Sequence, residues 1–202
     1  MTGFEVPLLL LTGRKGSGKD TAATALTSRG WTRIAFADAV REMAFQIDPV
    51  IDRDHGGLVR LSDLITTVPA HPNTIPWWDE VKKHPEVRRL LQRIGTEAAR
   101  GVLGEDVWIR AVAQLVEQER AAHEPVVITD CRFPNEVTWG REAGGKVIRI
   151  DRPSGDQIDT HASEAAVDQL KVDDVITNDG TVARLRYRIL EYVDAVWEGW
   201  TT

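Results

Sequence analysis

One cysteine, Cys131, is all this 202-residue chain carries, so no disulfide framework and no cysteine-rich metal site can form. That usage fits a reducing compartment, and the cytoplasm is the expected location. Long apolar runs are missing as well. The only one near the start is Pro7 to Leu11, with no basic residues before it, too short for a membrane span or a signal-peptide core. It reads as a buried strand, and no membrane partner is expected. Positive charge is also in short supply: 25 Lys and Arg stand against 31 Asp and Glu, a formal charge of -6. A broad basic surface for nucleic acid is excluded, although a local basic pocket is not. Neither internal repeats nor low-complexity tracts interrupt a length that suits one domain with a small insert.

What is present is an alternation. Apolar runs ("PLLLLTG", "RIAFA", "VVITD", "KVIRID", "DVITN") are separated by helix-compatible stretches: from Lys19, across 85 to 122, and from about Thr181. Strand and helix in this order predict an α/β fold, a parallel sheet flanked by helices, with the site at the strands' carboxyl ends. The stretches at 12–13, 36–38, 129–132, 151–153 and 177–180 all follow such strands and should open on one crevice. Residues 48–84, where prolines cluster, break the pattern and are expected to form an irregular insert with one or two short helices.

The first strand runs into "TGRKGSGKDTAA", in which Gly13, Gly18 and Lys19 satisfy G-x-x-x-x-G-K between a strand and a helix. Glycines let the backbone turn successive N–H groups toward phosphate oxygens, the helix start adds its positive end, and Lys19 reaches the transferred group. A nucleoside triphosphate site follows. Where Ser or Thr commonly ligates magnesium the chain has Asp20, with the hydroxyl one place later at Thr21. A carboxylate beside a triphosphate needs a cation between them, so Asp20 is expected to hold Mg2+, directly or through a water, and Thr21 to bond the α-phosphate. The competing reading has Asp20 merely favouring the helix start.

The loop alone does not name a reaction. The guanine-reading N-K-x-D is absent, and the length leaves little room for a motor, so a small-molecule kinase fits best. In "PEVRRLLQRIGTEAAR" the apolar residues Val87, Leu90, Leu91, Ile94 and Ala98 fall on one helical face. Arg89, Arg93, Thr96 and Arg100 fall on the other, a stripe suited to a phosphate monoester if it is not simply a solvated face. Gly95, mid-pattern, marks a kink or a close backbone approach. In "VVITDCRFPNE", Asp130 stands at a strand end, placed to help hold the metal shell, and Arg132 could bridge donor and acceptor phosphates; a structural ion pair between them is the alternative. The stretch 152–163 reads as a lid carrying Arg152, in which His161 orders the lid rather than acting as a base. "TNDG" at 177–180, with Asn178, would lie beside the adenine, or be a plain turn. Of seven tryptophans most should be packing; Trp108 is chosen as a base or sugar platform.

Taken together, "GRKGSGKDT", "FADAVRE", "RRLLQRIGTE" followed by "DVW", "TDCRFPNE", "RP" with "THASE", and "ITNDGT" resemble the deoxynucleoside monophosphate kinases of tailed bacteriophages. The resemblance covers roughly residues 8–46 and 86–186. It implies an adenylate-kinase-like P-loop fold, transfer of the ATP γ-phosphoryl group to a deoxynucleoside 5'-monophosphate, and action in a host cytoplasm. It also implies that Lys15, Arg41, Arg89, Gly95, Thr96, Trp108 and Arg132 contact the acceptor, a set we extend to Ala37, Asp38, Arg100 and Glu136. ATP and magnesium fall to Gly13, Gly16, Ser17, Gly18, Lys19, Asp20, Thr21, Asn178, Arg152 and Asp130, with Lys19, Asp130, Arg132 and Arg152 as the catalytic group. "GKDT" belongs to that family's own pattern. A deoxynucleoside kinase, another phosphometabolite kinase and an ATP-sensing binding protein are the rivals, and monomer and homodimer both remain open.

Overall fold

The computed structural model describes residues 6–52, 57–66, 76–153 and 167–198. In chain order, β1 (Leu8–Thr12), α1 (Lys19–Thr27), β2 (Thr32–Ile34) and α2 (Phe36–Ile47) are followed by a β3 (Val50–Asp52) and β4 (Leu58–Arg60) hairpin. Then come α3 (Leu61–Thr66), α4 (Pro76–Val81), α5 (Pro85–Gln92), a π-helical turn (Arg93–Ala98), α6 (Ala99–Leu103) and α7 (Val107–Ala121). The chain closes with β5 (Val126–Ile128), α8 (Pro134–Glu142), β6 (Lys146–Asp151), β7 (Asp174–Thr177) and a last helix, α9 (Val182–Val196). These elements form two compact units, one from residues 1–36 and 109–202, the other from 37–108. The irregular stretch expected at 48–84 thus lies inside a wider second unit. It holds two short helices, where one or two were expected, and also the hairpin, which three-residue strands do not announce.

In the first unit five strands form a parallel sheet in the order β2-β5-β1-β6-β7. Leu8, Leu9, Leu10 and Leu11 are all fully buried, because β1 is central and both of its faces are covered; a continuous apolar run is what such a strand requires. Leu9 and Leu11 join Ala22, Ala23 and Leu26 of α1 and Leu185, Ile189 and Val193 of α9 in one core. Leu10 faces the other way. A Cβ added at Gly140 of α8 would meet its methyl groups at 2.6–2.7 Å, so glycine is what lets that helix lie against the sheet. Burying each such leucine contributes about 1.5–3 kcal/mol.

The chain leaves β1 toward one edge of the sheet and leaves its neighbour β6 toward the other. This divergence makes the carboxyl ends of β1 and β6 the place where a crevice opens. Residues 12–13, 129–132, 151–153 and 177–180 all follow strands at that edge, as expected.

Candidate active site

Beyond β1 the backbone enters the left-handed region at Gly13 (φ 139°), Gly16 (φ 75°) and Gly18 (φ 108°). A Cβ at Gly13 would also collide with the Ile150 carbonyl and lie 2.8 Å from Ser17 Oγ. Glycine is needed there twice over, for conformation and for space. Among the described residues the N–H groups of Gly16 and Gly18 donate to nothing, and α1 starts immediately afterwards at Lys19. Unspent amides at a helix start form an anion-binding concavity. The Lys19 ammonium bends over the loop, donating to the carbonyls of Gly13 at 2.7 Å and Arg14 at 2.9 Å.

Asp20 is exposed in the first turn of α1, and its carboxylate makes no hydrogen bond or ion pair among the described residues. Gly18 is the N-cap and no side-chain capping bond is made, whereas an acid in the first turn favours the helix start electrostatically. Thr21 is half-buried one place on. Ser17, expected in the nucleotide set, is only 3% exposed, and its hydroxyl lies close to Gly13 beneath the loop. Its side chain is therefore withdrawn from solvent, leaving its backbone to the loop. Lys15 is exposed.

At the end of β5, Asp130 Oδ1 accepts from the Phe36 N–H at 2.9 Å. An ion pair between Asp130 and Arg132, the alternative considered from sequence, is not among the bridges found, and Arg132 has no side-chain partner among the described residues. Its guanidinium is exposed while its backbone is fixed. Glu136, 2% exposed, accepts from the N–H groups of Arg132 at 2.7 Å and Phe133 at 3.0 Å through one oxygen, Oε2. This corrects the expectation that Glu136 touches the acceptor: the carboxylate is buried because it reaches back to the start of α8, as an acid at the third helical position does. Arg152 follows β6 and is exposed, whereas residues 154–163 of the expected lid, His161 included, lie outside the described residues. The thiol of Cys131, 1% exposed, is pushed well above its ordinary pKa by burial first and then by Glu136 and Asp130.

Asn178 faces the phosphate loop with its side-chain amide nitrogen. Its Nδ2 donates to the Ser17 carbonyl at 2.8 Å and its backbone N–H to the Asp151 carbonyl at 2.6 Å, tying the loop after β7 to the phosphate loop.

In the second unit, α5 begins with Pro85 and ends in the π turn centred on Gly95. A π-helical turn surrounds Gly95, and the extra residue it accommodates shifts the helical phase. Val87 before the turn and Ile94 at its start are buried as expected; at its end Ala98 is exposed and the next residue, Ala99, is buried instead. The same slip corrects the arginine stripe. Arg89, Arg93 and Thr96 are exposed, but Arg100 is half-buried and falls out of phase with them. A Cβ at Gly95 would make only ordinary van der Waals contact with Val40 of α2, at 3.6 Å, and the Gly95 carbonyl accepts from Trp108 Nε1 at 2.7 Å. Trp108 is 5% exposed, so its ring here packs and braces the turn. On α2, next to Ala37, Asp38 and Arg41 form an ion pair.

Glu86, which no sequence motif marked, connects two elements of this unit. Its Oε1 lies 3.3 Å from Arg89 Nη2, and Oε2 accepts from the Asp52 N–H of β3. The spacing to Arg89 is readable from sequence; the partner 34 residues away is not. Depressions of about 260 and 270 Å³ flank this pair, the first lined by Asp52, His84, Pro85, Glu86 and Arg89, the second adding Val50, Leu90 and Arg93. In the first unit, Arg14 of the loop donates from Nε to Asp168 Oδ2 at 3.0 Å, another pairing sequence did not reveal. Its guanidinium holds the Asp168 carboxyl below the ordinary value. No helix among the described residues is long and apolar enough to cross a membrane.

Comparison with known proteins bears on this site. The family model described as deoxynucleotide monophosphate kinase matches residues 71–189, which include the arginine helix, Arg132 and Asn178. A protein of Acanthamoeba polyphaga mimivirus, provisionally described as a deoxynucleotide monophosphate kinase, is 29% identical over 93% of this chain and 96% of its own. The deoxynucleotide monophosphate kinase of Enterobacteria phage T4 is 31% identical over 51% of this chain and 43% of its own. Among solved structures, TT1252 from Thermus thermophilus superposes with a TM-score of 0.51 at 18% identity, covering 96% of this chain and 98% of that one. With a parallel sheet, a phosphate loop in its expected place and a family match over more than half its length, the chain belongs to the deoxynucleotide monophosphate kinase family and is a kinase acting on nucleoside monophosphates.

Proposed function

We propose that the phosphate loop binds ATP with magnesium and that the acceptor is a deoxynucleoside 5'-monophosphate, giving ADP and a diphosphate. The observation that carries the donor assignment is the loop itself, with the amides of Gly16 and Gly18 unspent beside Lys19. In this reading Lys19 exchanges the Gly13 and Arg14 carbonyls for phosphate oxygens and follows the moving phosphoryl group. Thr21 serves the α-phosphate, and Arg152 the outer phosphates.

The residues fit magnesium, a hard cation that keeps several waters and needs only one or two carboxylates beside phosphate oxygens. Asp20 offers an exposed carboxylate with no hydrogen bond or ion pair among the described residues, and Asp130, which accepts from the Phe36 N–H, adds a second carboxylate at the end of β5. Once bound, the ion neutralises charge between the phosphate groups.

A phosphate monoester carries close to two negative charges at neutral pH, its second pKa being about 6, so the acceptor needs no strong base to become a nucleophile. What the protein must supply is alignment and charge neutralisation. Arg132 takes the bridging role for which its exposed guanidinium is suited; Arg89, Arg41 and Lys15 serve the acceptor phosphate. Glu136 supports this by holding the backbone of Arg132. The viral sources of the relatives support action in a host cytoplasm.

Coupled ADP release, with ATP and magnesium scanned over deoxy- and ribonucleoside monophosphates, nucleosides and phosphometabolites, tests this reading. Turnover with a deoxynucleoside monophosphate is expected; turnover with nucleosides alone, or ATP binding without acceptor-dependent ADP release, overturns it.

A further inference from the structure

We infer that Asn178 is a positioning residue that sets the orientation of the Ser17–Gly18 peptide and so aims the Gly18 N–H at the donor's phosphates. The inference rests on reading residues 13–21 as the triphosphate site. It does not depend on any contact between Asn178 and a nucleotide base.

The geometry is local to the first unit. Asn178 Nδ2 donates to the Ser17 carbonyl at 2.8 Å, and Asn178 is itself fixed by its own N–H on the Asp151 carbonyl at 2.6 Å. In a planar trans peptide the C=O and the following N–H point in opposite directions. Holding the Ser17 carbonyl toward Asn178 therefore turns the Gly18 N–H away from Asn178, and that N–H finds no acceptor among the described residues. Without the amide donor the same peptide could rotate. Gly18 has no Cβ to resist, and a flip would aim a carbonyl, rather than an N–H, at an anion.

The sequence is built for this approach. A Cβ on Gly18 would lie 2.7 Å from Asn178 Nδ2 and 2.7 Å from Leu185 Cδ2, so the third glycine of the loop makes room for the asparagine and for α9. Lys19 acts in the same sense on the other limb, holding the Gly13 and Arg14 carbonyls. Asn178 holds its carbonyl whether or not Lys19 has moved to a phosphate. The motif after β7 thus completes the phosphate loop from 161 residues away.

Inorganic tripolyphosphate separates this role from a base contact, because it has phosphates and no base. Binding of Mg-ATP and Mg-tripolyphosphate is measured by calorimetry for the wild type, Asn178→Ala and the near-isosteric Asn178→Asp, with KM for the acceptor alongside. Losing the donor should weaken both ligands by the same factor, about tenfold, and leave the acceptor KM within about twofold. Weakened ATP with unchanged tripolyphosphate makes Asn178 a base contact and overturns the inference, as does no change in either. If Asn178→Ala does not fold, Asn178→Asp and Asn178→Ser carry the comparison. Failure of the wild type to bind either ligand refutes the loop assignment instead, so the two failures are distinguishable.

Discussion

Removing the Glu136 carboxylate should separate what this residue does for folding from what it does for Arg132. In Glu136→Ala two backbone amides, of Arg132 and Phe133, lose an acceptor at 2.7 and 3.0 Å. Hydrogen bonds to a charged group contribute about 1.5–3 kcal/mol each, but Arg132 is exposed and Phe133 half-buried, so water recovers part of the loss. A net cost of about 2–3 kcal/mol follows, within the range of a lost cap plus a buried vacancy. At about 2–4 °C per kcal/mol for a chain of this length, Tm should fall by about 4–12 °C, read by calorimetry. Glu136→Gln retains one acceptor oxygen and should fall between Ala and wild type. Kinetically, loosening the segment that carries Arg132 should lower kcat by about tenfold or more. In the Arg132→Ala background the same substitution should lower it little further, since the guanidinium it positions is already gone. A Tm change under about 1 °C, or kinetic losses that multiply independently in the double variant, would refute the reasoning.

Other expectations are simpler. Asp20→Ala should require a higher magnesium concentration for half-maximal turnover while leaving Tm nearly unchanged, because the carboxylate is exposed and makes no bond among the described residues; an unaltered magnesium titration removes its metal role. Arg89→Ala should raise the acceptor KM at least tenfold, with ATP affinity preserved; near-normal kinetics would return this arginine to a solvated face. Because Arg14 holds the Asp168 carboxyl below its ordinary value, that pair stabilises at neutral pH, and its contribution is lost as pH falls through the lowered value. Asp168→Asn should accordingly flatten the acid limb of stability measured by urea titration, and an unchanged limb would refute the assignment. Gly140→Ala should cost about 1–3 kcal/mol, since its Cβ would enter the space of Leu10, and a neutral result in the same titration would show that α8 can move off the sheet.

The sheet was readable because four consecutive leucines running straight into a glycine-rich turn and then a helix-compatible stretch fit a short strand covered on both faces. The arginine helix was readable up to Gly95 and misread beyond it. A period of 3.6 predicts Ala98 inside and Arg100 outside, but the π turn moves both by a residue, and no composition rule says that a glycine will be absorbed that way. The hairpin at 50–60 escaped for a related reason: strands of three residues have too few positions to show a period.

By itself, then, the sequence determined the fold class and the glycine loop between β1 and α1, since these follow from short-range patterns of apolar, glycine and basic residues. Only the tertiary structure decided which polar groups were already engaged. Glu136 faces inward to the Arg132 backbone, Trp108 is turned onto the Gly95 carbonyl, and Asn178 holds the Ser17 carbonyl across 161 residues. A hydrogen bond between distant segments depends on where the chain brings them, and that is set by packing rather than by the identity of either partner.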